Sequence, residues 1–335
     1  MRKVLVTGCA GFIGYHLAER LLADGDEVVG LDCVNDYYDP TLKRARLKRL
    51  ARHERFSFHE ENLADRPFME TLFAQGQFEV VFHLAAQAGV RYSIQNPWAY
   101  IDSNVVGFLT ILEGCRHHGV GHLVFASSSS VYGSNTRSPF AADHPVDHPI
   151  SLYAATKKSN EVMAHAYAHL YDLPCTGMRF FTVYGPWGRP DMAMFLFAEA
   201  ILAGKPINVF NHGNMRRDFT YVDDCVESIV RLGRQPAAPD PDFSQDRPNT
   251  SAAPFRVYNI GNGNPVQLMD LIAAVEEFIG QPAEKNFMGM QAGDVPLTAA
   301  AVDDLARDVG YRPDTPMRVG VKRFIDWYLD YYGHR

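Results

Sequence analysis

Five apolar runs alternate with amphipathic segments along the first 185 residues, and this alternation constrains the fold more than any other feature. The runs are KVLVT (3–7), EVVGLD (27–32), VVFHLAA (80–86), HLVFASSSS (122–130) and CTGMRFFTV (175–183). Buried parallel strands are covered on both faces and therefore read as continuous apolar runs. Strands that alternate with helical segments build parallel sheets covered by helices. The sequence therefore predicts an α/β fold with a Rossmann-type, doubly wound parallel sheet.

The pattern loosens after residue 185, where strands shorten and Gly and Pro become more frequent. Because 335 residues exceed the usual size of one hydrophobic core, we expect a domain over 1–185 and a smaller C-terminal α/β substrate lobe over 186–335. We assign short strands over INVF (207–210) and RVYNIG (256–261) to that lobe. Residues 235–256 are rich in Pro, Asp and Ser without periodicity, which predicts an exposed, mobile loop.

The composition argues against several kinds of partner. A net charge of -7 gives no broad basic surface, so we expect no nucleic acid partner. No apolar stretch reaches the roughly 18 residues of a membrane span, so we expect no membrane partner. The five cysteines are scattered, odd in number and without a CxxC pair, and the thirteen histidines suggest no ligand cluster. We therefore expect no metal and no disulfide framework, and a cytoplasmic location.

Gly8, Gly11 and Gly14 lie where the first strand gives way to a helix, at G-x-x-G-x-x-G spacing. Without side chains, the backbone can approach a pyrophosphate that faces the helix N-terminus. Asp32 ends the second strand, where an acid can bind the adenosine ribose hydroxyls and would repel a 2′-phosphate. A tight turn requires glycine even without a ligand, and Asp32 alone could be a solvated turn residue. Together they predict that residues 1–185 bind NAD rather than NADP.

Tyr153 and Lys157 open a helical segment and, at i,i+4 spacing, share one face of it. A phenol is a poor base at neutral pH, but a nearby cation such as the Lys157 ammonium favours the phenolate. This pair also occurs by chance on helix surfaces. The polar run Ser127–Ser130 makes it more specific, because it ends an apolar strand at the edge where doubly wound sheets bind ligands.

With these motifs the chain resembles the extended short-chain dehydrogenase/reductase family, through TGCAGFIG (7–14), HLAAQAG (83–89), SSSSVYG (127–133), YAATK (153–157) and RDFTYVDD (217–224). The resemblance implies that Tyr153 is the catalytic base, Lys157 its partner and Ser128 the hydroxyl that binds the substrate oxygen. For the apolar cofactor positions, simple core packing is the alternative. By the same resemblance, the residues lining the cofactor are Phe12, Ile13, Asn35, Asn62, Leu63, Leu84, Ala85, Ala86 and Asn104.

The reaction is indicated by a departure from related dehydratases. Those enzymes carry Asp-Glu before VYG, whereas this chain carries Ser129 and Ser130. Hydroxyls cannot exchange protons with the sugar carbon as those acids do, so loss of water is disfavoured. What remains is oxidation at a ring carbon, reorientation of the ketone and return of hydride to its other face. The resemblance thus implies a nucleotide-sugar epimerase that recycles NAD.

Further motifs resemble the branch of the family that inverts C4 of UDP-glucuronate: DCVNDYYDPTLKRARL (32–47), AGVRYS (88–93), YGPWGRPDMA (184–193) and VFNHGNMRRDFTYVDD (209–224). A sugar carboxylate needs a positive or donor-rich pocket, for which Arg189 with Thr182, and secondly Arg91, are our candidates. The alternative for Arg189 is a loop cation that contacts nothing.

Other substrate contacts and the rival functions follow from the same resemblance. Arg217 is expected to pair with the diphosphate, unless it forms an ion pair with Asp218 or Asp223, and Asn208 and Phe210 are expected near the uridine. The resemblance also implies a homodimer. The remaining alternatives are UDP-glucose 4-epimerase, another nucleotide-sugar epimerase or decarboxylase, and an NAD-sensing regulator without catalysis.

Overall fold

The structure is a computed structural model that describes residues 1–291 and 294–334. Its strands are β1 (Lys3–Thr7), β2 (Glu27–Leu31), β3 (Phe56–His59), β4 (Val80–His83), β5 (His122–Ser128), β6 (Cys175–Phe180), β7 (Thr182–Tyr184), β8 (Ile207–Val209), β9 (Arg216–Arg217), β10 (Phe219–Tyr221), β11 (Phe255–Ile260), β12 (Val266–Gln267) and β13 (Lys285–Phe287).

Seven of these strands form one parallel sheet in the order β11-β6-β5-β4-β1-β2-β3. All six neighbouring pairs are parallel. The strand order reverses between β1 and β4, and ligands of doubly wound sheets bind at such a switch point. The predicted doubly wound α/β fold is confirmed.

Helices follow most strands of the sheet. They are α1 (Phe12–Ala23), α2 (Pro40–Leu50), α3 (Arg66–Gly76), α4 (Tyr92–Gln95), α5 (Pro97–Tyr100), α6 (Gly107–His117), α7 (Leu152–Tyr171), α8 (Ala193–Leu202), α9 (Val222–Gly233), α10 (Leu268–Ile279), α11 (Asp303–Val309) and α12 (Met317–Tyr331). A π-helical segment, Ile101–Val106, leads into α6. A 3₁₀ turn, Ser129–Tyr132, follows β5. No helix in the described part of the chain is long and apolar enough to cross a membrane.

One strand lies in a different part of the fold than the sequence predicted. We assigned RVYNIG to the substrate lobe, but it belongs to β11, which pairs with β6 at the edge of the central sheet. The reason is a long excursion of the chain: after β6 it builds short strands and two helices before it returns to the sheet. Apolar periodicity marks a buried strand but does not say which neighbour it pairs with.

The predicted loop over 235–256 is also only partly correct. Residues 235–248 are mostly exposed and lack regular structure, but Asn249, Thr250 and Ser251 are buried. The Asn249 carbonyl accepts a hydrogen bond from Val257 N–H (2.9 Å), which ties the end of this segment to β11. The sequence indicated a solvated loop here because the polar side chains of Asn249 and Ser251 find their partners, Asp304 and His165, far away along the chain.

Candidate active site

A cavity of about 270 Å³ runs along the carboxyl ends of β1, β2, β4, β5 and β6. It therefore lies at the switch point of the sheet. Many of the residues predicted from sequence line it: Gly8, Gly11, Phe12, Ile13, Gly14, Asp32, Asn35, Asn62, Leu63, Leu84, Ala85, Ala86, Ser128, Tyr153, Lys157 and Arg189.

The glycine turn is packed too tightly for side chains. A Cβ on Gly8 would lie 2.8 Å from the Ala85 nitrogen, and one on Gly14 would lie 2.1 Å from the Gly8 oxygen. Gly8 also has φ +74°, a conformation that favours glycine. Bare backbone thus reaches the cavity where α1 begins, and the first N–H groups of a helix, with its positive dipole end, fit a diphosphate.

Asp32 is an organised acceptor and not a solvated turn residue. Its carboxylate accepts hydrogen bonds from Ala10 N–H (3.1 Å) and Val34 N–H (2.8 Å). Burial raises its pKa above the usual value, and the Lys43 charge with the two backbone donors counteracts this only in part. The residue therefore braces the glycine turn while its oxygens keep further lone pairs for ribose hydroxyls.

Lys43 and Arg46, on α2, are site residues that sequence reasoning missed. The Lys43 ammonium donates to the Asn35 carbonyl (3.0 Å) and to Asn35 Oδ1 (2.6 Å) at the cavity wall. Arg46 is fully buried and donates to the carbonyls of Ala10 (2.8 Å) and Trp187 (2.6 Å). The basic run in α2 resembles a solvated helix face, so only the fold reveals that two of its charges point inward.

Tyr153 lies in the first turn of α7, whose N-terminus is capped by Ser151. Burial raises the pKa of the Tyr153 phenol, while a hydrogen bond with Ser128 and the charge of Arg189 lower it. Ser128 itself accepts hydrogen bonds from the backbone N–H (3.2 Å) and the hydroxyl (2.9 Å) of Ser130. Its own proton is thereby left to donate to the Tyr153 oxygen, and both residues line the cavity.

Lys157 is 1% exposed, and its ammonium donates to the Ala126 carbonyl (2.9 Å). Burial lowers its pKa to about 7. Within the described residues, no hydrogen bond joins Lys157 to Tyr153. The sequence predicted Lys157 as the cation that favours the phenolate, whereas in the structure the charge that lowers the pKa of Tyr153 is that of Arg189.

Asn104 does not line the cavity, unlike the other predicted cofactor residues. Its side chain is 1% exposed, accepts from Gln87 N–H (2.8 Å) and donates to the Gln87 carbonyl (3.0 Å) and the Thr156 hydroxyl (3.0 Å). It therefore joins the segment after β4 to α7. Its sequence context gives its position near the cofactor site but not the direction of its side chain.

Arg189 is not the free loop cation that was the alternative. Its guanidinium forms an ion pair with Asp191 (2.5 Å) and lines the main cavity together with Tyr153. Thr182 lines a smaller neighbouring cavity, to which Arg189 also contributes. Ser129 and Ser130 lie in the 3₁₀ turn after β5 and do not line the main cavity.

The remaining predicted substrate residues lie outside the main cavity. The Arg91 guanidinium lies over the Phe210 ring, 5.5 Å from its centroid. Asn208 accepts a hydrogen bond from Asn286 (3.0 Å). Arg217 pairs with Asp294 (2.5 Å), and with neither of the two acids named as alternatives. Asp218, one of those two acids, instead accepts hydrogen bonds from the backbone N–H groups of Asn262 (2.8 Å), Gly263 (2.9 Å) and Ala300 (2.9 Å).

Fold and site together define a class of protein. A seven-stranded doubly wound sheet, a glycine turn with an acid after β2, and a Tyr-Lys pair facing the same cavity are the features of a Rossmann-type dinucleotide enzyme. The chain belongs to the NAD dependent epimerase/dehydratase family, whose family model matches residues 4–261.

Three known proteins illustrate the similarity. "Protein CapI" of Staphylococcus aureus is 56% identical, with 98% of this chain and 99% of the relative covered. A "Probable UDP-glucuronate 4-epimerase" of Rhizobium meliloti (strain 1021) is 49% identical, with 98% of each chain covered. The crystal structure of UDP-glucuronic acid 4-epimerase from Bacillus cereus, in complex with UDP-glucuronic acid and NAD, has a TM-score of 0.86 and 32% identity over 98% of this chain and 99% of that chain.

Proposed function

We propose that this chain is an isomerase that uses NAD to invert C4 of UDP-glucuronate, giving UDP-galacturonate. The proposal is carried by one observation: Ser128, Tyr153 and Arg189 face the same cavity as the glycine turn and Asp32. The relatives named for this reaction cover nearly the whole chain, and the Bacillus cereus structure holds both UDP-glucuronic acid and NAD.

The cavity has the features that NAD requires. The glycine turn and the start of α1 would hold the diphosphate, Asp32 the adenosine ribose, and Lys157 the hydroxyls of the second ribose. When bound, NAD supplies the acceptor that takes a hydride from C4 and later returns it.

Residues of the chain transfer the proton of the sugar 4-hydroxyl group. Tyr153 takes the proton of the sugar 4-hydroxyl as the C4–H bond of the sugar breaks. Ser128 donates a hydrogen bond to the oxygen of that hydroxyl. The 4-keto sugar then turns over within the cavity, and Tyr153 returns the proton as hydride comes back to the opposite face. Proton transfer by a positioned side chain contributes on the order of 10²–10⁴-fold to such a rate.

Arg189 favours a uronate over a neutral hexose. It is the guanidinium in the wall of the main cavity, and its charge reaches Tyr153. A carboxylate on C6 therefore finds a fork-shaped donor close to the reacting carbon. We propose that Thr182 and Arg91 assist Arg189, that Ser129 and Ser130 contact the sugar, that Arg217 exchanges Asp294 for the diphosphate, and that Asn208 and Phe210 bind the uridine.

We also propose a homodimer that pairs through α6 and α7. Apolar side chains remain exposed on these helices: Leu109 (37%), Val162 (55%), Leu170 (65%) and Tyr171 (44%). A pair of apolar helices from each subunit would bury them in a four-helix contact. A cytoplasmic location fits the five cysteines, which are all free thiols. Light scattering of the purified chain tests the dimer, and a monomeric mass would contradict it.

Purified protein, incubated with catalytic NAD and UDP-glucuronate without added reductant, tests the function. We expect UDP-galacturonate signals by NMR, and a parallel reaction with UDP-glucose should be far slower. Faster turnover of UDP-glucose would identify a hexose epimerase instead. NAD binding without turnover of either sugar would identify a regulator.

A further inference from the structure

Asp191 holds Arg189 along one edge of its guanidinium. Arg189 Nε donates to Oδ1 (2.9 Å) and Nη2 donates to Oδ2 (2.5 Å). The side chains are 24% and 29% exposed. Such two-pronged pairing fixes the plane and the rotation of the guanidinium as well as balancing its charge.

The ion pair leaves a second edge of Arg189 available. A guanidinium carries five N–H groups, of which Asp191 takes the one on Nε and one on Nη2. The Tyr37 hydroxyl also forms a hydrogen bond with the Arg189 side chain. Neither hydrogen bond to Asp191 uses Nη1, and its two N–H groups are donors that a carboxylate can accept from.

Asp191 is in turn held by Tyr37, which belongs to the segment that follows β2. Tyr37 Oη donates to Asp191 Oδ2 (3.1 Å), and its ring packs on Tyr92 with centroids 4.9 Å apart. Gly89 makes room for it, since a Cβ there would lie 2.6 Å from the Tyr37 oxygen. The orientation of Arg189 therefore depends on the cofactor side of the cleft.

The pair is ionised at neutral pH. Burial opposes ionisation of Asp191, but the charge of Arg189 and the hydrogen bonds from Arg189 and Tyr37 outweigh it and lower its pKa below the usual value. Protonation of Asp191 is therefore not a route by which Arg189 is released near pH 7.

We propose that Asp191 is a positioning residue for uronate recognition: it occupies one edge of Arg189 and leaves the other edge to the substrate carboxylate, while Tyr37 fixes Asp191. The inference rests on the proposed function, because it requires a substrate that carries a carboxylate. In the opposite arrangement, Asp191 blocks Arg189 and has to leave before the substrate binds. The two arrangements predict changes of opposite sign when Asp191 is neutralised.

A fixed guanidinium also protects the intermediate. The 4-keto sugar is a β-keto acid, which can lose CO₂: the C5–C6 bond breaks, its electron pair moves into an enolate with the C4 carbonyl, and C5 takes a proton. This step needs no added oxidant or reductant, but the breaking bond has to align with the carbonyl π system. When Arg189 holds the carboxylate in one orientation, the C5–C6 bond stays out of alignment with the carbonyl π system. An Arg189 side chain that rotates freely would allow the aligned orientation and therefore the loss of CO₂.

Asp191→Asn and Tyr37→Phe test the proposal in the NAD-loaded protein. We expect Asp191→Asn to weaken UDP-glucuronate binding by about tenfold and Tyr37→Phe by about threefold, with UDP binding unchanged in calorimetry. We also expect a larger share of UDP-pentose among the products of both variants, a ratio that a merely less stable fold would not change. The matched control is Asp303→Asn, which removes an exposed ion pair with Arg312.

Tighter binding of UDP-glucuronate by Asp191→Asn would overturn the proposal in favour of a blocking role. Unchanged binding and an unchanged product ratio would overturn it as well. The wild-type protein separates this result from the proposed function. If wild type binds UDP-glucuronate without converting it and Asp191→Asn weakens that binding, the positioning role stands and the epimerase function fails.

Discussion

Lys157 donates a hydrogen bond from its ammonium to the carbonyl of Ala126, 2.9 Å away at the end of β5. The bond fixes the side chain beneath the strand edge that carries Ser128. This hydrogen bond does not fully replace the hydration that the ammonium loses on burial, as shown by the pKa of Lys157, which burial lowers to about 7. A buried ammonium that is partly deprotonated near neutral pH makes the stability of the protein depend on pH.

The first prediction concerns this dependence in the cofactor-free protein. An unfolded lysine binds its proton below about pH 10.4, whereas the folded protein releases it above about 7. Between these values the unfolded state holds more protons, so the buried Lys157 lowers the free energy of unfolding increasingly as the pH falls towards 7. Below pH 7 the lysine is protonated in both states, and the loss of stability is constant. The free energy of unfolding of wild type minus that of Lys157→Met should rise by up to about 1.4 kcal/mol per pH unit from pH 7 to 9. Denaturant titrations at pH 7, 8 and 9 measure it, and parallel curves for the two proteins would contradict the prediction.

The second prediction concerns the proton carrier. Tyr153→Phe removes the phenol that moves the O4 proton but keeps the ring, which packs edge to face with Tyr100 at 6.0 Å between centroids. Turnover of UDP-glucuronate should fall by roughly 100- to 10,000-fold, while NAD affinity stays at the wild-type value. NMR of the products and calorimetry with NAD provide the two measurements. Full turnover in the variant would remove Tyr153 as the base.

The third prediction concerns Arg189 itself. Arg189→Leu removes both edges of the guanidinium, so UDP-glucuronate should bind at least tenfold more weakly, epimerisation should slow and some UDP-pentose should form. Arg307→Leu is the control, because that side chain is 61% exposed and, among the residues that the structure describes, forms ion pairs only with neighbouring acids of α11. Wild-type rates with no pentose in Arg189→Leu would refute the role assigned to this residue.

The sequence predicts the sheet and the cofactor side of the site well, for a physical reason. Strand β1, the glycine turn and α1 are contiguous, so the spacing of Gly8, Gly11 and Gly14 is itself the local geometry. Asp32 and the pair Tyr153 and Lys157 lie at strand ends or on one helix turn, whose positions the doubly wound topology fixes. All of these residues line the cavity as expected.

Contacts between distant segments could not be predicted in this way. Lys43 and Arg46 point inward because α2 packs over the glycine turn, and nothing in KRAR marks that direction. Asp191 follows Arg189 by two residues, but it also accepts a hydrogen bond from Tyr37, which is 154 positions away. Strand β11 joins the large sheet through a crossover that periodicity does not encode.

The fourth prediction isolates the close approach of backbone in the glycine turn. A Cβ on Gly14 would lie 2.1 Å from the Gly8 oxygen and 2.7 Å from the Gly8 carbonyl carbon, and backbone atoms cannot move aside as a flexible side chain can. Gly14→Ala should therefore push the turn away from α1, lower the free energy of unfolding by about 1–3 kcal/mol and weaken NAD binding, because the N–H groups that face the diphosphate move with the turn. Gly289→Ala is the matched control, since the same methyl group there meets no atom of the described residues within 4 Å. Thermal unfolding and NAD calorimetry on both variants provide the measurements. Equal stability and equal NAD affinity of the two variants would mean that the turn tolerates a side chain and that its tight packing does not position the cofactor.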